Sequence, residues 1–285
     1  MTRIRLFALI LLAVTLLALA AGGIYLVTRP GAAPPPADTL EPPPTKPVVD
    51  PVVPEPFEPT VGLYTGRGSW DPDLAAMHNF LDRYGLDSVE IDQETLGSAD
   101  LGKLCDILVF VGGFSSEYLH YVGYHANIRT FVEQGGSFVG FCAGAYYASA
   151  TMVWQGKHLD YPLKLFSGEA AGPLNIGWGS LAAIELNREI PFNQDFGESM
   201  EIWYFDGPCF TGLDPGVDVL ASYRANGEAA VIAFPLGRGR VLLSGPHPEL
   251  GYRPAGDQLD LEGGNGAQWP WLYEALRWLS TPGKM

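Results

Sequence analysis

Three short stretches hold residue types that could do chemistry together. In Gly140-Phe141-Cys142-Ala143-Gly144-Ala145 a cysteine lies in a G-x-C-x-G setting after an apolar run. A nucleophile on a tight strand-to-helix turn needs small neighbours, because larger side chains would block the bend. The N–H groups that begin the following helix favour a thiolate. In Ser244-Gly245-Pro246-His247-Pro248-Glu249, His247 could take the thiol proton. Glu249 could orient the imidazole and stabilise its charged form. A spacing of two in extended chain puts both side chains on one side. In Val111-Gly112-Gly113-Phe114 the glycines let backbone N–H groups approach a substrate oxygen. Gly113, completed by the N–H of Ala143, is a candidate oxyanion hole. Each stretch also has a plainer reading: a buried packing cysteine, a Pro-His-Pro surface turn and an ordinary glycine loop.

These stretches need elements to position them. Val61 to Tyr64 reads as a short strand, and Asp71-Pro72 as the cap and start of a helix over Leu74 to Tyr84. Ser88 to Ile91 is a second strand. The unbroken apolar run Ile107 to Val111 fits a strand covered on both faces. A single helix is expected from about Tyr118 to Gln134, stopped by Gly135-Gly136. Ser137 to Phe141 is the next strand and Ala143 to Ala150 the next helix. Strand–helix alternation implies right-handed crossovers and a parallel sheet. Later strands are expected at 181–186, 201–204, 217–223, 229–234 and 241–244, some of them antiparallel additions at the sheet edge. Trp271 to Leu279 closes the chain as a helix.

Other polar residues carry weaker signals. Tyr146 and Tyr147 on the elbow helix either line a pocket or pack. Arg129, Glu169, Trp178, Glu198, Glu201 and Asp206 could shape a site, but solvated or structural roles are commoner for such residues. His78, His120, His125 and His158 lack a metal-binding spacing, so neither a metal nor another cofactor is expected. Cys105 and Cys209 read as two separate buried thiols, although an oxidising compartment could pair them.

The chain divides into three parts. Leu6 to Val27 contains no charge, and 22 residues of helix span about 33 Å, enough to cross a bilayer core. Ala18-Leu19-Ala20 resembles a signal-peptidase site, but Ile24-Tyr25-Leu26-Val27 prolongs the apolar stretch and favours an uncleaved anchor over residues 1–29. Either way the rest of the chain is expected outside the cytoplasm. Residues 30–59 hold 12 of the 24 prolines and read as an extended, semi-rigid linker. Residues 60–285 are long enough for one globular domain with a large core. A formal charge of −15 argues against nucleic acid as a partner. Three cysteines in 285 residues exclude a disulfide scaffold.

Taken together, these motifs resemble the class I glutamine amidotransferase-like superfamily. The resemblance is closer to the N-terminal domain of biotin–protein ligases. It runs through Ile128-Arg129-Thr130-Phe131-Val132, Gly135-Gly136-Ser137, the Cys142 stretch to Ser149, Trp203-Tyr204-Phe205-Asp206-Gly207-Pro208 and the His247 stretch. It implies a flavodoxin-like three-layer α/β/α sandwich with a mostly parallel central sheet. It also implies a Cys142-His247-Glu249 triad acting on a small-molecule or peptide amide. No biotin-ligase catalytic segment is read, so biotinylation is not implied. Two functional classes follow: a membrane-tethered cysteine hydrolase or amidase, or a non-catalytic binding module with a partner in the cell envelope. A peptidase would share the triad and differ in its pocket.

Overall fold

A computed structural model describes residues 57–122, 125–252, 259–264 and 268–280. The apolar run Leu6 to Val27 and nearly all of the proline-rich linker lie outside the described residues. The chain separates into the units Met1–Pro54 and Glu55–Met285, and the second is the one described. Among the described residues, no helix is long and apolar enough to cross a membrane.

The first half alternates as its sequence pattern requires. Strand β1 (Val61–Tyr64) leads into helix α1 (Asp71–Tyr84), then β2 (Ser88–Ile91), α2 (Gln93–Ser98) and β3 (Ile107–Phe110). Next come α3 (Ser115–Tyr121), α4 (His125–Glu133), β4 (Ser137–Phe141) and α5 (Ala143–Ala148). The second half is strand-rich. It contains β5 (Ser149–Trp154), β6 (Lys157–Asp160), β7 (Phe166–Gly172), β8 (Ser180–Leu186) and β9 (Ser199–Tyr204). It continues with β10 (Cys209–Thr211), β11 (Asp218–Tyr223), β12 (Ala229–Leu236) and β13 (Gly239–Ser244), and ends in helix α6 (Trp269–Ser280).

Strands β2-β1-β3-β4-β13 lie side by side in that order, and every neighbouring pair is parallel. This 2-1-3-4-5 arrangement is that of flavodoxin-like sheets. β12 then pairs antiparallel with β13 and opens a fork. One branch continues through β10, β7, β5 and β6, and the other through β11, β8 and β9. Two separate cores cover the sheet. One face packs Met77, Phe80 and Leu81 of α1 and Trp271, Leu272 and Leu276 of α6. The other packs Ile128, Phe131 and Val132 of α4 and Ala145 and Tyr147 of α5. Helices on both faces of the parallel strands make the α/β/α layering, and all of β1, β3 and β4 is buried, as their apolar runs require.

Several expected elements differ in detail. The helix expected over about 118–134 is two helices. Val122 takes extended torsions (φ −83°, ψ 91°) that close α3, and Gly123, a poor helix former, follows in the sequence. α1 begins at Asp71, and its cap is Trp70 with no side-chain hydrogen bond, so Asp71-Pro72 occupies the first turn itself. Gly135 does stop α4: at φ 120° its N–H reaches Val132 O (3.0 Å), while Gly136 N–H reaches Phe131 O (3.0 Å). β5, β6, β7 and β10 were not expected: β6 is exposed along its whole length, β10 has three residues, and β7 carries two glycines in seven residues. Cys105 and Cys209 are free, buried thiols belonging to the cores on opposite faces of the sheet, which rules out pairing in this fold.

Candidate active site

The site forms at the carboxyl ends of β1, β3, β4 and β13, where ligands bind in open α/β sheets. Cys142 follows β4 immediately, and its backbone is strained (φ 46°, ψ −101°). That strain persists because the surroundings fix it. Cys142 N–H donates to Ser244 O at the end of β13 (2.8 Å), and Cys142 O accepts from Ala145 and Tyr146 N–H. The glycines of G-x-C-x-G are needed for contact. A Cβ on Gly140 would lie 2.8 Å from the Gly144 backbone, and one on Gly144 would run into Phe110 O. The thiol is nearly buried and donates to Phe205 O (3.5 Å).

His247 hangs from the loop after β13. Its N–H donates to Trp203 O (2.9 Å), and the Phe205 ring stands edge-on to the imidazole at 5.4 Å. Its Nδ1 lies 2.9 Å from Glu249 Oε1, the partner expected from the sequence. The Trp269 indole N–H donates to Glu249 O (2.7 Å), holding that turn against α6. Nδ1 also lies 3.1 Å from Asp73 Oδ2 in the first turn of α1. Sequence reasoning missed Asp73. The only local signal was an acidic residue in a first helical turn, which is ordinary. All three side chains are buried. A Cβ on Gly112 would collide with Asp73 Oδ2 and with His247 Cε1, so that glycine makes room for the pair.

The electrostatics follow from this packing. Burial alone would lower the imidazole pKa, but Asp73, Glu249 and the charge of Cys142 together hold it well above the ordinary 6.5. Burial and Asp73 push the Glu249 carboxyl up to about 7, with His247 pulling the other way. His247 Nε2 is buried with no partner among the described residues, and Cys142 is near enough for its charge to act on the ring. Burial pushes the Cys105 and Cys209 thiols up to about 11.

Asp73, His247 and Glu249 are also the group among the described residues that converges closely enough to hold a metal ion, one ligand atom from each lying within 4.8 Å. Glu249 Oε1 is the hydrogen-bond partner of Nδ1, and Asp73 Oδ2 stands beside that nitrogen at 3.1 Å.

A cavity of about 320 Å³ opens beside the sulfur, and Cys142, Ala143 and Gly113 all line it. The loop bearing Gly113 is pinned by Phe114 N–H to Gly68 O (2.8 Å) and Trp70 N–H to Gly112 O (2.9 Å). Tyr146 lines the cavity and its hydroxyl donates to Asp206 O (3.0 Å). Tyr147 instead packs inward, its hydroxyl 2.9 Å from His125 Nδ1. Asp206 also lines the cavity, whereas Arg129, Glu169, Trp178, Glu198 and Glu201 do not. Arg129 binds Glu133 and Lys164 O, Glu169 faces His158 at 3.4 Å, and Trp178 packs on Phe205.

The family profile described as biotin-protein ligase, N terminal, matches residues 61–262. The chain belongs to that family. Within 176 residues (56% of this chain), it is 27% identical to a biotin–protein ligase of Schizosaccharomyces pombe, of which the match covers 28%. Within 159 residues (50% of this chain), it is 33% identical to an uncharacterized protein of Chlamydia muridarum, of which the match covers 60%. The chain thus spans less than two thirds of the length of either relative. A solved glutamine amidotransferase is similar at 21% identity and a TM-score of 0.48, covering 66% of this chain and 90% of that one.

Proposed function

We propose that this chain is a cysteine-dependent hydrolase or amidase in which Cys142 is the nucleophile, His247 the base and Glu249 its orienting carboxylate. The observation that carries the reading is the buried imidazole held on Nδ1 by carboxylates while the strained cysteine lies beside a cavity. In the reaction, the proton of Cys142 Sγ passes to His247 Nε2. The sulfur adds to an acyl carbon, and its oxygen, now negative, is met by the N–H groups of Gly113 and Ala143. The carbon–nitrogen bond breaks, and the leaving amine takes the proton from Nε2. Water then adds to the thioester, giving a proton to Nε2. The carbon–sulfur bond breaks, the acid departs and the sulfur recovers its proton. Asp73 adds a second negative charge that favours the imidazolium–thiolate pair.

The uncharged run Leu6 to Val27 and the proline-rich linker support a membrane-tethered domain outside the cytoplasm. Protease given access to the outer face of an intact cytoplasmic membrane should then remove the domain, whether it is periplasmic or extracellular.

The direct test is iodoacetamide at neutral pH. One thiol per native chain should react, and Cys142→Ala should abolish the labelling. Cys105 and Cys209 should stay silent until the chain is denatured, being buried and held in the thiol form. Equal labelling of both proteins would remove the activated thiol and leave the binding-module reading.

A further inference from the structure

We propose that the cavity beside Cys142 takes an uncharged, apolar, ring-sized acyl group, and not a free amino acid. The inference rests on Cys142 being the nucleophile and names the substrate class of that same site. The apolar side chains lining the cavity include Phe114, Tyr146, Met152, Trp154, Leu159 and Phe205. These residues come from three separate places: the loop after β3, the β5–β6 hairpin with the elbow helix, and the loop after β9. Phe114 and Leu159 remain 64% and 46% exposed, so the apolar surface continues to the mouth.

The charge of the wall argues the same way. Its polar side chains include Ser115, Ser116 and Asp206, and no described lining residue is Lys, Arg or His. Ser115 is already engaged, its hydroxyl 3.3 Å from the Tyr161 hydroxyl. A free amino acid such as glutamine would bring an α-carboxylate into this space. That carboxylate would lose its water, find no cation and face Asp206. An apolar acyl group loses nothing on entry and gains by leaving water. A volume of about 320 Å³ is at the small end of ligand sites, which suits one ring or a short chain.

The test has two arms on the full chain. In the first, Cys142-dependent hydrolysis of p-nitrophenyl phenylacetate is compared with that of p-nitrophenyl hemisuccinate. The expected preference for the phenylacetyl ester is at least about tenfold in kcat/KM, the scale of burying one apolar group. Leu159→Lys, which puts a cation at the exposed lip, should shift that ratio toward hemisuccinate by about fivefold, the scale of one exposed charge pair. The ratio is unaffected by how much of the variant folds. In the second arm, Cys142→Ala protein is titrated calorimetrically with phenylacetamide and with glutamine, and only phenylacetamide should bind. Hydrolysis that depends on Cys142 but lacks the phenylacetyl preference, or tighter binding of glutamine, would overturn the inference and spare the hydrolase reading. Binding of phenylacetamide by a protein whose wild type neither hydrolyses the esters nor reacts with iodoacetamide would support the cavity's preference and overturn the hydrolase reading. Absence of binding and of hydrolysis would overturn both.

Discussion

Two buried carboxylates facing one imidazole nitrogen set the character of this site. Asp73 Oδ2 and Glu249 Oε1 lie 3.1 and 2.9 Å from His247 Nδ1, so neither acts alone. Asp73→Asn keeps the shape and removes one charge. The His247 pKa should then fall, and with it the share of imidazolium–thiolate pair. At pH 6.5, alkylation of Cys142 by iodoacetamide should slow roughly tenfold, the worth of one pKa unit, and the acid limb of the rate profile should move upward. A stability consequence has the same origin. An imidazole whose folded pKa is raised stabilises the fold fully below 6.5, and that contribution is lost as pH rises through the raised value. In Asp73→Asn the alkaline loss should be smaller and complete at lower pH in denaturant titrations. A profile that does not move would mean that Glu249 sets the imidazole without help.

The elements matter through the close approach of their ends. The loop after β3 passes so near α1 and the loop after β13 that position 112 admits no side chain. Gly112→Ala should push the imidazole and the Asp73 carboxylate aside. Overpacking of this kind costs about 1–3 kcal/mol, visible as a lowered Tm. The loss of thiol reactivity should be larger in proportion, at least about tenfold, because small displacements of reacting groups are costly. Gly102→Ala is the matched control. Its Cβ would meet only Asp100 Oδ1 at 3.6 Å, so the reaction with iodoacetamide should be unchanged.

For the molecule as a whole, the sheet is a partition. It assigns α1 and α6 to one core and α4 and α5 to the other, and it separates Cys105 from Cys209. Mild oxidation of the native protein should therefore create no internal disulfide. In Cys142→Ala both remaining thiols should titrate after unfolding under non-reducing conditions, and recovery of fewer than two would contradict the two-faced packing. Beyond β13 the sheet forks, and the two branches supply the Phe205 loop and the β5–β6 hairpin that wall the cavity.

The parallel half of the fold was legible in the chain because its signals are local. Apolar runs such as Ile107 to Phe110 mark strands buried on both faces. Glycine stops a helix through its own torsions, as Gly135 does after α4. G-x-C-x-G marks a bend that tolerates little else, and Glu249 reaches His247 because only one residue separates them, in a turn closed by Leu250 N–H on His247 O rather than in the extended chain expected. Asp73 lay beyond such reasoning. Its meeting with His247 depends on where the crossovers place α1 relative to the end of β13. The branch through β10, β7, β5 and β6 was hidden for the same reason: β6 gains its place from pairing with β5, not from an apolar face of its own. Short-range sterics and periodicity act within a few residues and can be read along the chain. The company that a buried charge keeps is set by packing between distant segments, and it exists only once the sheet has closed around it.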